Sequence, residues 1–474
     1  MSISRWETLY RDAHARGMER LQSIPGVACA FHSVLDGWIR ITPSLLHSIL
    51  DSNAELHKAA MAGCKGEYPC EINTPADFVS GLFHSLYKGA ALQLMIRSEE
   101  TYRWALATFG AGELRLGGTS GNMARSLAPL GIPVTVYANP LTVELAERFG
   151  DYDNLRVISQ SKDGYRLQKP IDAAFEQGVF AIHWILEYGS DFSMNFGELN
   201  VSPNRANRYI PSWNPRNNQF KMEETFANGF VSLIDSYSHL FFSGFHILSD
   251  RYPDGSTCDD VIEPLERFLK RIRLVAPSLK IHLEMASIAS SKVRESVLNH
   301  IAPNVHSIGL NEIELPLLLA SLGDKREREI LRDVPTALNF CRGMAALKHA
   351  TGLQRVHFHN FGYYLCLEQP SWSSPESSRD ALLFAAIMAS ARARNGLFTS
   401  RDDIAAGLNT PISESGFNQL KILGEALKQP SLSEKGTGTF EQLSLTAIPA
   451  KIVENPLFTV GLGDTISSGA FMTE

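Results

Sequence analysis

Apolar stretches of the strand kind alternate with helical patterns along most of this chain. Short runs rich in β-branched and aromatic residues fall at Val27–Phe31, Leu114–Leu116, Val134–Tyr137, Val179–Leu186, Leu240–Ser243, Ile281–Glu284, Val305–Ile308 and Arg355–His359. Between them, apolar positions at helical spacing predict helices at Asn122–Leu130, Glu223–Ile234, Ser290–His300, Asn311–Leu322 and Arg379–Asn395. This alternation predicts an α/β fold: a mainly parallel sheet with helices on both faces. Ligands of such sheets bind beyond the carboxyl ends of the strands. Two stretches lose the alternation, from about Gly37 to Ser98 and from about Asp151 to Asn218. They are expected to form one smaller lid domain. The expected division is 1–36, 99–150 and 219–474 for a large nucleotide-binding domain, and 37–98 with 151–218 for the discontinuous lid.

The chain has 474 residues, 44% of them hydrophobic, enough for a large core and a second, smaller one. Its formal net charge of −7 leaves no basic surplus to neutralise a phosphate backbone, so no nucleic-acid partner is expected. The six cysteines are scattered without a CxxC pair, as expected of reduced thiols. The N-terminal stretch MSISRWETLYRDAHARGMERL is charged and helical in pattern, without the apolar region of a secretory signal. No uncharged apolar run has the length to span a membrane. The expectation is a cytoplasmic protein, monomeric or dimeric, with no membrane contact.

The segment with the most chemistry is the last, NPLFTVGLGDTISSGAF. A short apolar run, Phe458–Val460, meets Gly461-Leu462-Gly463-Asp464, and a helix of small residues follows. Glycines let backbone N–H groups approach a phosphate, and the helix N-terminus adds partial positive charge. A carboxylate there can accept the proton of a substrate hydroxyl, which with positioning and charge neutralisation is most of what phosphoryl transfer requires. Asp464 equally suits a plain N-cap.

Further candidates sit where strands end. Ile281-His282-Leu283-Glu284 closes one strand, and Asn311-Glu312-Ile313-Glu314 joins the next to its helix. Carboxylates at such points suit Mg²⁺ bound through water and substrate phosphates, while Asn311 and Glu314 also suit helix capping. Glu312 and Glu314 point to different sides of a first turn, so one of them is expected to face the site. Gly117-Gly118-Thr119-Ser120-Gly121-Asn122 forms a glycine-rich strand–helix turn that matches neither GxGxxG nor a Walker loop. Arg205 and Arg208 in NRANRY can fork onto phosphate oxygens or stand solvated. Asp36 follows the first strand and can bind sugar hydroxyls. His357 and His359 form an HxH without further matching metal ligands, which predicts that one packs and the other lines a pocket.

Taken in order, these segments resemble the ADP-dependent glucokinase and phosphofructokinase family. The strongest stretches are IHLEMAS, SIGLNEIEL, RVHFHNFGYYL and TVGLGDTIS, supported by KGAALQL, LGGTSGNMA, AIHWILEY, NRANRYI and SGFHIL. The resemblance implies a ribokinase-like large domain closed by a lid, and transfer of the β-phosphate of ADP to a sugar hydroxyl with release of AMP. It implies Asp464 as catalytic residue, with Gly461, Leu462 and Gly463 as the anion hole. It implies Glu284, Asn311 and Glu314 serving Mg²⁺, and Arg208, His359 and Val460 at the nucleotide. Asp36, Gln93, Gly117, Gly118, Thr119, His183 and Arg205 are implied at the sugar or sugar phosphate.

The sugar side departs from the family pattern. His32-Ser33-Val34-Leu35-Asp36 stands where glucokinases show Asn-x-Asn-x-Asp, Gln93 replaces a Glu, and Thr119 replaces an Asn. The expected activity is therefore glucokinase-like with an altered sugar pocket. The competing readings are an ADP-dependent phosphofructokinase, an ATP-dependent ribokinase-type kinase, and a sugar-binding homologue without turnover.

Overall fold

Strand and helix alternate as the pattern predicts, but the strands sort into two separate sheets. The structure, a computed structural model, describes residues 3–51, 53–175, 181–196, 199–215, 219–324, 328–329, 331, 333–454, 456–457 and 460–474. The strands are β1 Val27–Ala30, β2 Val34–Arg40, β3 Leu92–Met95, β4 Glu113–Gly117, β5 Val134–Val136, β6 Leu155–Ser161, β7 Gly164–Gln168, β8 Ile182–Tyr188, β9 Met194–Phe196, β10 Leu199–Val201, β11 Asn207–Trp213, β12 His239–Phe242, β13 Lys280–Glu284, β14 Ser307–Asn311, β15 Arg355–His359, β16 Tyr363–Glu368, β17 Thr437–Phe440 and β18 Leu443–Pro449.

Eleven strands form the large sheet in the order β17-β18-β16-β15-β14-β13-β12-β1-β5-β6-β7. Its middle, from β15 to β6, is parallel throughout. These strands are short runs buried on both faces, the signature of a parallel sheet covered by helices. Five strands form the small sheet in the order β3-β11-β8-β2-β4. Each sheet has its own apolar core.

This distribution differs from the expected division of the chain. The hairpin β6–β7, within the expected lid segment 151–218, extends the large sheet through parallel pairing of β6 with β5. Strand β4, expected in the large domain, pairs antiparallel with β2, and β2 already begins at Val34. Pairing partners far along the chain decide which sheet a strand joins, and local pattern does not carry that information. The β run expected at Phe458–Val460 lies outside the described residues except for Val460, which is in a turn. Residues 179 and 180 of the expected strand at Val179–Leu186 also lie outside them.

Alternation along the small sheet gives it one buried and one open face. Ile182, Trp184, Leu186 and Tyr188 of β8 point into the second core beside Phe78 and Leu82 of the helix Pro75–Lys88. The intervening residues His183, Ile185 and Glu187 point the other way.

Two helices pin the C-terminus. Helix Ile3–Leu21 buries Trp6, Tyr10, Ala13, Gly17 and Leu21 at three- and four-residue spacing. Helix Pro375–Asn395 is buried on almost all sides and starts at Ser374, whose hydroxyl accepts from the Ser377 amide, four residues before the helix the pattern predicts. The last helix, Leu462–Met472, packs along it. Beyond that helix, Glu474 meets Arg355 in a buried ion pair, Nε to Oε2 2.6 Å. Arg355 also donates to Ser307 Oγ at 3.0 Å, and Ser378 Oγ donates to Glu474 Oε1 at 2.7 Å and to Glu368. Burial and the neighbouring Glu474 push the Glu368 carboxyl up to about 9, so it keeps its proton at neutral pH.

Removing the single guanidinium would leave Glu474 charged and unpaired in the core. Arg355→Met should therefore lower the unfolding free energy, read by denaturant titration, by about 3–5 kcal/mol. A loss well under about 1 kcal/mol would show that this cluster does not anchor the C-terminal helix.

Candidate active site

Three neighbouring parallel strands end together. Glu284 closes β13, Asn311 closes β14 and His359 closes β15, with Glu284 opposite Gly309 and Asn311 opposite His359. The Glu284 carboxylate lies over Gly309, where a Cβ would overlap Glu284 Oε2 and come within 2.8 Å of His282 Nε2. Glycine at 309 is what gives the carboxylate its seat. His282 bridges Glu284 at 3.1 Å and Ser307 Oγ at 2.9 Å.

At the turn after β14, Asn311 Oδ1 accepts from the amides of Ile313 and Glu314 at 2.9 and 3.1 Å, and Glu314 Oε2 accepts from the Asn311 amide at 2.9 Å. Capping and site formation are here the work of one pair. Glu314 is buried and Glu312 exposed, so one of the two faces inward.

Facing these strand ends is the start of the C-terminal helix. Gly461 takes φ 71° as its N-cap, a conformation that favours glycine, and has no side chain to satisfy the first-turn amides of Leu462–Met472. Asp464 lies in that first turn. Burial and the nearby Glu284 push its carboxyl up to about 8, against the opposing influence of Arg392 and a hydrogen bond from Asn122. Burial likewise pushes Glu284 up to about 8, and Glu314 to about 8 with Glu284 and Asp464 adding repulsion. The three carboxyl groups thus share one neighbourhood.

Their donors are oxygen, which suits a hard cation such as Mg²⁺. They do not converge tightly enough to chelate it directly. Among the described residues, the three potential ligand atoms lying within 4.8 Å of one another belong to Cys366, Glu368 and Glu474, beside Arg355 at the opposite end of the sheet. A cation among Glu284, Asn311 and Glu314 would be held largely through water.

Beside the helix start is a cavity of about 330 Å³. His359, Tyr364, Leu462, Gly463 and Ile466 line it, with Asn311 and Asn360 at its polar side. His357, two residues before His359, is fully buried, so the HxH pair divides between core and pocket as expected.

The open face of the small sheet forms the other wall. Register places Ser212, His183, Asp36 and Arg115 side by side across β11, β8, β2 and β4. Four residues further along each strand, Arg208, Glu187 and Arg40 form a second row. Asp36 and Arg115 of the first row and all three residues of the second line a cavity of about 420 Å³ whose far side is Pro456, Leu457 and Val460. Asp36 is buried, and its carboxyl rises to about 7 by desolvation, with Arg208 and Arg115 opposing and Asp464 adding repulsion. Asp36, on the small sheet, and Asp464, on the C-terminal helix, therefore face one cleft.

Gly117 abuts the Asp36 carboxylate and Gly118 the His32 carbonyl, while Thr119 opens the helix Thr119–Leu127. Gln93, on the open face at β3, donates to Ser212 Oγ at 3.3 Å. Arg205 does not join the group: it is exposed and donates to the Gly89 carbonyl at 3.0 Å, the solvated reading of its motif.

Three side chains here, His246, Asn122 and Arg392, have no role assigned from the sequence. His32 sits 5.3 Å from His183 and 4.7 Å from His246, ring centre to ring centre. Burial lowers all three, His183 to about 3 and His246 to about 4, so they are neutral rings with unpaired nitrogens at Nδ1 and Nε2 of His32, Nε2 of His183 and Nδ1 of His246. Asn122 and Arg392 brace Asp464. The GNMA and ARARN segments around them read as ordinary helix.

Comparison with known proteins agrees with this geometry. Residues 25–473 match the model of the ADP-specific phosphofructokinase/glucokinase conserved region. The chain is 30% identical to an ADP-specific phosphofructokinase of Methanosarcina acetivorans over 100% of its own length and 97% of the relative's. It is 30% identical to an ADP-dependent glucose/glucosamine kinase of Pyrococcus furiosus over 99% and 98%. A solved ADP-dependent kinase in complex with fructose 6-phosphate and ADPβS superposes with a TM-score of 0.87 at 30% identity, covering 100% of this chain and 98% of that one.

The three raised carboxyl groups set the pH dependence of the ligand-free protein. In the fold they hold protons up to about pH 8; in the unfolded chain they release them near pH 4. Between these values these three groups bind fewer protons in the unfolded chain, so their contribution to stability falls as pH rises. Below about pH 6.5 the buried neutral histidines oppose this, because the unfolded chain protonates them. Without nucleotide or divalent cation, Tm should therefore drop from about pH 7 to about pH 8, and less in Glu314→Gln, which removes one of the groups. A Tm that is flat or rises across that range would contradict the shared acidic site.

Proposed function

This chain belongs to the ADP-specific phosphofructokinase/glucokinase family and is an ADP-dependent sugar kinase, and on that premise we propose that Asp464 takes the proton of a sugar hydroxyl as the β-phosphate of ADP moves onto it. The bond from that phosphorus to AMP breaks, AMP leaves, and the phosphate ester forms on the sugar oxygen. One observation carries this reading: Asp36 on the small sheet, offset by Arg208 and Arg115 beside it, feels the charge of Asp464 on the C-terminal helix across the cleft.

Each wall has its task. The first-turn amides at Gly461, Leu462 and Gly463 receive the oxygens of the transferring group, where the helix dipole favours negative charge. Arg208 reaches the nucleotide phosphates, and the cavity at His359, Tyr364 and Ile466 takes the nucleoside. Val460, at the cleft wall, closes over the junction of the two. Glu284, Asn311 and Glu314 would hold Mg²⁺ through water, and that ion supplies charge neutralisation at the phosphates. Asp36 accepts from sugar hydroxyls, with His183 beside it in register and the backbone at Gly117 and Gly118 close by. The small sheet, with β2 and β4 in it, serves as the lid.

The acceptor reading is glucokinase-like with an altered pocket. His32, Gln93 and Thr119 give that pocket neutral donors and acceptors where a carboxylate would bind glucose hydroxyls more strongly. A sugar phosphate is the second reading, favoured by Arg40 and Arg115 standing with Arg208 in the same cavity.

AMP release decides among these. With Mg²⁺ and ADP, AMP should appear only when an acceptor is present, and ATP should not replace ADP. Asp464→Asn should keep ADP affinity and lose about 10²–10⁴-fold in kcat. Glucose should be a poor acceptor for the wild type, improved about tenfold or more in kcat/KM by Gln93→Glu with His32→Asn. Near-normal turnover by Asp464→Asn would overturn the assignment of the base. Efficient turnover of fructose 6-phosphate with none of glucose would select the second acceptor reading.

A further inference from the structure

Arg392 is 2% exposed near the end of helix Pro375–Asn395, and its guanidinium donates to other elements. Nη1 donates to Ser126 Oγ at 2.6 Å and to Thr465 Oγ1 at 2.8 Å. Nη2 donates to Asn122 Oδ1 at 3.0 Å and to the Val460 carbonyl at 3.3 Å. One guanidinium thereby ties the helix Thr119–Leu127 to both sides of the Gly461–Asp464 turn. Asn122 is 5% exposed and hydrogen-bonds Asp464.

The chemistry of the pair fixes its polarity. A guanidinium has donors and no acceptor, so the Asn122 amide must turn its oxygen toward Arg392. Its nitrogen is then left for the Asp464 carboxylate, an N–H donor to a charged acceptor. A side chain at Gly461 would enter this arrangement, since its Cβ would stand 2.8 Å from Asn122 Nδ2 and 2.9 Å from Arg392 Nη2. The turn that offers the anion-binding amides and the relay that holds the base thus occupy one space.

We propose that Asn122 and Arg392 are positioning residues for the Asp464 base: the guanidinium locks the amide, and the amide holds one carboxylate oxygen so that the other faces the acceptor hydroxyl. The proposal rests on Asp464 being the base. Asn122 touches neither substrate nor nucleotide in this scheme, so its loss acts on turnover and leaves binding alone.

A double-mutant cycle tests it. Asn122→Leu removes the relay; Asn122→Asp keeps its size and its bond from Arg392, replaces the N–H donor by an acceptor and adds a carboxyl beside the base, which keeps the test valid if the leucine variant does not fold. Both should lose about 10- to 100-fold in kcat, with KM for ADP and for the acceptor within about twofold of wild type. Arg392→Lys, which keeps the charge but not the fork, should lose less than either. In the Asp464→Asn background, the Asn122 substitutions should cost nothing further, because the group they position is gone. Losses that add in the double variants, or that appear in KM with kcat unchanged, would show a merely structural role and overturn the proposal. Retained turnover in Asp464→Asn alone would instead overturn the base reading beneath it.

Discussion

Three carboxyl groups, Asp464, Glu284 and Glu314, crowd one buried neighbourhood, and most of the architecture follows from that repulsion. Desolvation keeps each of them protonated well above the usual carboxylate range, with the charge of Glu284 adding to it at Asp464 and Glu314. Such a cluster is unfavourable in an empty protein and becomes useful when cations and phosphates arrive. The fold meets the constraint with few groups. Arg392 supplies the one strong opposing charge at Asp464, Gly309 makes room for Glu284, and Asn311 gives Glu314 its backbone donor. The small sheet adds Asp36 from across the cleft, with Arg208 and Arg115 to offset it.

The two sheets divide the work. The large parallel sheet brings β13, β14 and β15 to a common end, which fixes the acidic groups and the cavity at His359 relative to the C-terminal helix. That helix is held at both ends: Arg392 clasps its first turn, and the Arg355–Glu474 pair fixes the residues beyond its last. Asp464 is therefore set by tertiary anchors at a distance as well as by its own turn. The small sheet contributes a face. Strand alternation buries Trp184 and its neighbours on one side and presents His183, Asp36 and Arg115 in a row on the other. A recognition surface follows directly from the two-residue period of the strands.

Chemistry that is local in the chain was legible from residues alone. The GLGD turn, Glu284 at a strand end and the Asn311–Glu314 pair were found because each is a short segment at a strand–helix junction, where backbone geometry and function coincide. For Glu314 the capping reading holds, and the same side chain lies beside Glu284 and Asp464. What needs pairing between distant segments was not legible. β4 and β6 exchanged sheets relative to expectation, and Arg205 turned to the Gly89 carbonyl while Arg208, three residues on, faced the cleft. Asn122 and Arg392 look like ordinary helix residues. Their burial with opposite hydrogen-bonding needs appears only when three helices are brought together. His246 carries no local signal either; the packing of its ring on His32 reveals it.

The account turns on the acidic cluster standing protonated until charge arrives to hold it ionised. Calorimetric titration of the protein with Mg·ADP at pH 7, repeated in buffers of different ionisation enthalpy, counts the protons exchanged on binding. Net proton release is the predicted result, because carboxyl groups titrating near pH 8 at rest must ionise beside the cation. A binding enthalpy independent of buffer, or net proton uptake, would contradict it.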